Sequence, residues 1–165
     1  NLRTLESLFH YPGLCLFEGT NLSVGRGSDA SFEQIGAPWL DTARVLRTMR
    51  RAALPGVAFE GVSFTPRRPG DGKFGDTLLA GIRLRVTDRS SYDPTITAVH
   101  LLAAVRAAHP GQFRWIAKHF DRLAGTTRLR EAIDAGADPV TIVAGWGPEL
   151  DRFRERRRGV LLYPE

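Results

Sequence analysis

A chain of 165 residues, 42% hydrophobic and 25% charged, has the size and balance of one globular domain, and no apolar run in it approaches the roughly 18 residues that would suggest a membrane-spanning helix. Its single cysteine, Cys15, excludes an internal disulfide and a multi-cysteine metal site, and lies in an apolar run that suits a buried structural thiol. The formal charge of +5 invites a nucleic-acid reading, but much of it is gathered between Arg152 and Gly159, at the end of the last expected helix, where cations complement the helix dipole and stay solvated.

The opening stretch, "NLRTLESLFHYPG", has neither an initiating methionine nor a long apolar h-region. It is expected to belong to a processed product or, preferably, to a piece of something longer. Leu14 to Phe17 reads as a short buried strand. It leads into "EGTNLSVGRGSD", Glu18 to Asp29, where Gly19, Gly25 and Gly27 let the backbone turn and approach a ligand, and Glu18, Thr20, Asn21, Ser23 and Arg26 offer donors and acceptors. That mixture suits a polyhydroxylated or amide-bearing ligand with one negative charge. Arg26 can grip a carboxylate with two hydrogen bonds, and Glu18 can do proton work if burial raises its pKa. The same residues also suit a purely structural turn.

Beyond "GAPW", Asp41 is placed to cap a helix through "TARVLRTMRRA", ended by Leu54-Pro55-Gly56. "VAFEGVSF", Val57 to Phe64, reads as a strand interrupted at Gly61, followed by the turn-rich "TPRRPGDGKFGD". In the next strand Ile82, Leu84 and Val86 alternate with Arg83, Arg85 and Thr87, so the arginines are expected to face solvent. "DPTITAVHLLAAVRAAHPG" predicts a helix that starts after Asp93 and stops at Pro110-Gly111, and "TTRLREAIDAG" a shorter one closed by Gly136. Ile142, Trp146, Leu150 and Phe153 follow helical spacing and predict a core-facing stripe, with "VLLY" a strand or docked tail. Asp121 in "HFDRLAG" reads as a cap or turn residue, with Gly125 as backbone punctuation. Strands early and helices late predict an α+β fold, a single compact domain over residues 1–165 with a small mixed or antiparallel sheet in the first half and several helices in the second.

Spacing removes several chemistries. "GDGKFGD" is no phosphate loop, because Arg67 stands where the first glycine is needed and Phe74 where a Ser or Thr should follow Lys73; it is expected to be a surface turn. His10, His100, His109 and His119 contain no i, i+4 pair, so neither a metal site nor a cofactor is expected. No Gly-x-Ser-x-Gly elbow is present.

"LFEGTNLSVGRGSDASFEQIGAPW" resembles the Glu-Gly-Thr-Asn-x-Ser-x-Gly-Arg-Gly-Thr signature of the bacterial exo-β-N-acetylmuramidases. Ordered matches in "PGVAFEGVSFTP", "FRW", "HFDRLAGTTRLREAIDAG" and "VLLY" extend it along nearly the whole chain. The resemblance implies a C-terminal domain of a secreted or periplasmic enzyme that removes N-acetylmuramic acid from non-reducing ends of peptidoglycan fragments. A preceding Rossmann-like domain is its expected partner, supplying the other wall of the cleft and the principal catalytic acid. Glu18 is then a catalytic candidate. Thr20, Asn21, Ser23 and Arg26 are substrate-binding candidates, Arg26 for the lactyl carboxylate, and Trp39 is either a stacking platform or a core plug. Ser28 stands where the signature prefers threonine and keeps the hydroxyl. A non-catalytic cell-wall sugar-binding module, and a polyanion-binding domain using Arg152 to Arg158, are the alternatives.

Overall fold

The computed structural model describes residues 2–163. Thr4 begins the first helix, α1 (Leu5–Leu14): its hydroxyl accepts from the Ser7 amide at 3.0 Å while Ser7 reaches back to the Thr4 amide, a reciprocal cap. The expected strand at Leu14 to Phe17 is absent. The chain instead tightens from α1 into a 3-10 helix, Cys15–Gly19, and buries Leu16 and Phe17 from it. A four-residue apolar run carries no period that separates strand from helix, and here the preceding cap decides. Cys15 is half-buried, and burial, with the nearby Glu18 carboxylate, pushes its thiol pKa up.

The sheet is three-stranded and antiparallel, in the order β1 (Gln34–Ala37), β3 (Leu79–Val86), β2 (Val57–Phe64). Ile35 and Gly61 sit opposite Ile82 from either side. Pairing therefore runs through Gly61 without the expected interruption, since the ladder is made by backbone groups alone. Ile82 and Leu84 are buried and Arg85 is exposed and pairs with Glu60 at 2.9 Å, as the alternation predicts, whereas Arg83, expected to face solvent, is half-buried because it donates to the buried Gln34 at 2.9 Å.

Two helices close the core. In α2 (Thr42–Ala52), Asp41 accepts from the Arg44 amide at 2.9 Å, and Val45, Leu46 and Met49 form the buried stripe. In α3 (Pro94–Ala108), Asp93 accepts from the Thr95 and Ile96 amides at 2.8 and 2.9 Å. Small residues let α3 bury nearly all round, from Thr97 to Val105, and it packs against both α1 and α2.

Shorter helices follow: α4 (Ala117–Ala124), α5 (Arg128–Asp134), α6 (Pro139–Ala144) and α7 (Gly147–Arg157). Gly125 ends α4 at φ 71°, as expected of a helix stop. Asp121 is neither cap nor turn: it lies inside α4 and takes a forked pair from Arg130, at 2.8 Å on each oxygen, which holds its carboxyl below the usual range. The stripe predicted through Phe153 is broken where Gly145 and Gly147 flank Trp146. Ile142 and Trp146 reach the core, whereas Leu150 and Phe153, on the next helix, are exposed. "VLLY" forms neither strand nor docked tail: Val160 closes a 3-10 turn, and Leu162 and Tyr163 are 90% and 81% exposed. With sheet residues early and helices late, the architecture is α+β.

Candidate functional site

The Glu18 to Asp29 loop is stretched between two fixed edges. On one side Ser23 forms an antiparallel bridge with Gly36 of β1, amide to carbonyl in both directions at 2.9 and 3.0 Å. On the other, Thr20 bridges Trp115, with the Asn21 amide on the Arg114 carbonyl at 3.0 Å and the Ile116 amide on the Gly19 carbonyl at 2.8 Å. Gly19 is required by close approach, for a Cβ there would lie 2.5 Å from the Phe120 Cα of α4. Gly25 is required by its φ of 74°, with the Ala30 carbonyl against the missing side chain.

The loop's polar side chains divide sharply. Thr20 is buried; its hydroxyl donates to the Phe17 carbonyl at 2.7 Å and accepts from the Leu22 amide at 3.1 Å. Ser23 is buried as well and accepts from the Gly25 amide at 3.1 Å. Asn21 spans to the neighbouring segment, donating to the Gln112 carbonyl at 2.9 Å and accepting from the Arg114 amide at 2.8 Å. The Ser28 hydroxyl donates to the Gly25 carbonyl at 2.7 Å and accepts from Gln34 at 3.1 Å. All four residues use their hydrogen bonds on the protein's own backbone or neighbours.

Glu18 and Arg26 behave differently. Both retain some exposure, 17% and 19% of their side chains, and they pair through one carboxylate oxygen: Arg26 Nε and Nη2 lie 2.8 and 2.7 Å from Glu18 Oε1. Glu18 Oε2 and Arg26 Nη1 have no hydrogen bond among the described residues. The guanidinium also lies 4.8 Å from the centroid of the Phe32 ring, which Tyr11 meets edge-on at 4.9 Å. Phe32 is wholly buried and adopts φ 61°, a left-handed conformation uncommon for an aromatic residue.

From outside this stretch comes Lys73, in the segment expected to be a surface turn. Its ammonium is drawn inward and donates to the carbonyls of Glu18, Thr20 and Leu22 at 3.1, 2.7 and 3.0 Å. Burial lowers its pKa, an effect opposed by Asp71 and Glu18 and reinforced by Arg26. Spacing that excludes a phosphate loop says nothing of where the lysine points, and no local signal in the sequence marks its backbone partners. Phe32 and Tyr11 carried no local signal either.

Trp39 is not brought to this cluster by any contact. It is half-buried at the end of β1, packed on the core and 5.2 Å from the His109 ring. His109 accepts from the Asp41 amide at 2.8 Å, so these aromatic rings tie α2 to α3. At the basic end of the chain Arg154 pairs with Asp151 and Arg158 with Glu155, each at 2.8 Å. Among the described residues no group of three or more His, Cys, Asp or Glu side chains is arranged to hold a metal ion, and no helix is long and apolar enough to cross a membrane.

Two cavities lie elsewhere. One of about 660 Å³ is lined by Leu16, Leu123, Leu129, Ile142, Trp146 and Leu150. Another of about 880 Å³ opens between α2 and α3, with Arg44, His100, Arg106 and Asp138 on its walls. Neither is lined by a residue from Glu18 to Arg26. The Glu18–Arg26 pair, partly exposed, lies outside both.

A family model described as the C-terminal part of the exo-β-N-acetylmuramidase NamZ matches residues 9–163. The peptidoglycan β-N-acetylmuramidase NamZ of Bacillus subtilis (strain 168) is 35% identical over 164 residues, which make up 99% of this chain and 39% of that protein. Two crystal structures of DUF1343 family proteins from Bacteroides fragilis NCTC 9343 share the fold. One superposes with a TM-score of 0.81 at 21% identity, over 94% of this chain and 42% of its own. The other gives 0.72 at 28% identity, over 96% and 41%. The chain spans about two-fifths of the length of the curated relative it matches.

Proposed function

The chain belongs to the NamZ C-terminal family, and on that premise we propose that it forms one wall of the substrate cleft in a peptidoglycan glycosidase that releases N-acetylmuramic acid from non-reducing ends. The observation that carries this reading is the signature loop itself. It is braced from both sides, yet it leaves one guanidinium edge and one carboxylate oxygen without a hydrogen bond among the described residues, on a partly exposed surface outside the two cavities described above. A second wall from a preceding domain, expected to be Rossmann-like, would convert that surface into a cleft. Because peptidoglycan lies outside the cytoplasmic membrane, the proposed location is periplasmic or extracellular, and the proposed role is wall recycling or scavenging.

The residues take distinct parts. Arg26 Nη1 receives the lactyl carboxylate that distinguishes muramic acid from other amino sugars, a charge-assisted contact stronger than a neutral hydrogen bond. Glu18 orients the guanidinium through Oε1 and offers Oε2 to a sugar hydroxyl or acetamido N–H. Thr20, Asn21 and Ser23 act one step back, fixing the backbone from which those two side chains project. Glycoside hydrolysis needs either two flanking carboxylates or one carboxylate aided by the substrate's own acetamido group. The principal acid is assigned to the preceding domain.

Hydrolysis of a chromogenic N-acetylmuramic acid glycoside tests the reading. Activity is expected from the longer protein and from this chain mixed with its preceding domain, and not from this chain alone. Activity of the chain alone would put the chemistry here, and inactivity of a mixture shown separately to form a complex would favour a sugar-binding module. Glu18→Gln in the longer protein separates orientation from proton transfer. Orientation predicts a raised KM with kcat within about tenfold, whereas loss of a proton-transfer group costs about 100-fold or more in kcat.

A further inference from the structure

Lys73 stands outside the signature, yet it makes more contacts to the signature loop's backbone than any side chain within it. Its three N–H donors meet three carbonyls, those of Glu18, Thr20 and Leu22, and an ammonium has three donors and no acceptor, so the match is complete. These carbonyls come from alternate residues and converge on one point, as carbonyls do around a bound cation. The lysine is itself held from behind. Its amide donates to Asp71 at 3.2 Å, and the same 66–77 segment grips the far end of the loop, with the Arg67 amide on the Gly27 carbonyl at 2.8 Å. Glu18 is thus fixed at its own carbonyl by Lys73 and at its carboxylate by Arg26, and Arg26 lies on the same short loop between the two attachment points.

We infer that Lys73 is a positioning residue of the Glu18–Arg26 site, its ammonium serving as a tethered cation around which the loop's carbonyls are wound. The inference rests on the reading that this loop faces substrate. The charge and its N–H groups do the work, and the alkyl chain only delivers them. Without the ammonium, three carbonyls converge on no donor and must turn away. That movement carries Glu18 with it and breaks the alignment of Arg26.

Substitution followed by chemical rescue tests this. In this chain, Lys73→Met is expected to raise amide hydrogen exchange across residues 19–27 at least about tenfold while the amides of α3 stay protected, since breaking the loop's hydrogen bonds opens it locally. In the longer protein, Lys73→Ala is expected to raise KM for an N-acetylmuramic acid glycoside about tenfold or more, and added butylammonium is expected to recover most of the loss. Tetramethylammonium, a cation with no N–H donor, is expected to recover none. Wild-type exchange in Lys73→Met, or equal recovery by the two amines, would overturn the inference. Should Lys73→Met fail to fold, the melting temperature of Lys73→Ala decides in its place: a rise with butylammonium alone supports the tethered cation, and no rise contradicts it. An unsubstituted longer protein without activity would overturn the proposed function, and the exchange measurement would then decide Lys73's hold on the loop by itself.

Discussion

Two stretches of this chain are dense in polar and charged residues, the Glu18 to Asp29 loop and the arm from Gly147 to Tyr163, and the fold treats them in opposite ways. The loop is tied to parts of the chain far away in sequence: Asn21 bonds to backbone groups of residues 112 and 114, and Lys73, from a distant segment, donates to the carbonyls of residues 18, 20 and 22. In the arm, Arg154 and Arg158 pair with acids three residues earlier, Glu149 reaches Arg128 of α5 only through an exposed side-chain pair, and Phe153, Leu162 and Tyr163 lie exposed. Partners distant in sequence can be lost only by moving two parts of the fold. Neighbours on one helix re-form or dissolve at little cost. Chemical density in a sequence therefore marks a constrained site where its hydrogen bonds reach backbone groups across the fold.

Substitutions can break that contrast, beginning with the largest effect. Gly19→Val puts side-chain atoms where the Phe120 backbone of α4 already lies; it is expected to cost at least about 3 kcal/mol or prevent folding, read by urea denaturation. Thr20→Val keeps the shape but leaves the buried Leu22 amide without its acceptor, and is expected to cost about 1–3 kcal/mol in the same measurement. A loop that tolerated both changes would be no more constrained than the arm.

Acid sharpens a third point, because α1 leads directly into the loop. Its His10 is wholly buried, with Nδ1 2.7 Å from the Tyr92 hydroxyl, and burial pushes its pKa below the ordinary value against the opposing pull of Glu6 and Glu33. As pH falls below about 6.5, the unfolded chain takes up a proton there that the folded chain does not. Stability is thus full above that pH and declines toward the lower folded pKa. Thermal melts between pH 8 and 5 are expected to show that decline in the wild type and a flatter profile in His10→Gln. The smallest effect belongs to the arm, where Arg154→Ala removes an exposed pair and is expected to change stability by less than about 0.5 kcal/mol.

Much of the fold was legible because its signals are local. Asp41 and Asp93 cap helices where hydrogen-bonding side chains precede periodic runs, and the alternation in β3 reports a sheet with one buried face. The failures share a cause. Leu14 to Phe17 is too short to carry a period, and the stripe from Ile142 to Phe153 keeps its spacing across a break that the glycines around Trp146 impose. The loop was legible as a place and only partly as a division of labour. Nothing local in the sequence told Thr20 and Ser23, turned inward, from Glu18 and Arg26, turned outward. Lys73 was invisible because its partners lie more than fifty residues earlier.

Recognition of the substrate's lactyl carboxylate by Arg26, as proposed, is tested most directly by one comparison of rates. In the longer protein, kcat/KM would be measured for N-acetylmuramic acid and N-acetylglucosamine glycosides, which differ in the lactyl carboxylate, with wild type and Arg26→Met. Loss of a charge-assisted contact predicts a fall of about 10- to 100-fold on the muramic substrate alone, so that discrimination between the two sugars collapses. An equal fall on both substrates, or no fall on either, would contradict the assignment of Arg26 to the carboxylate.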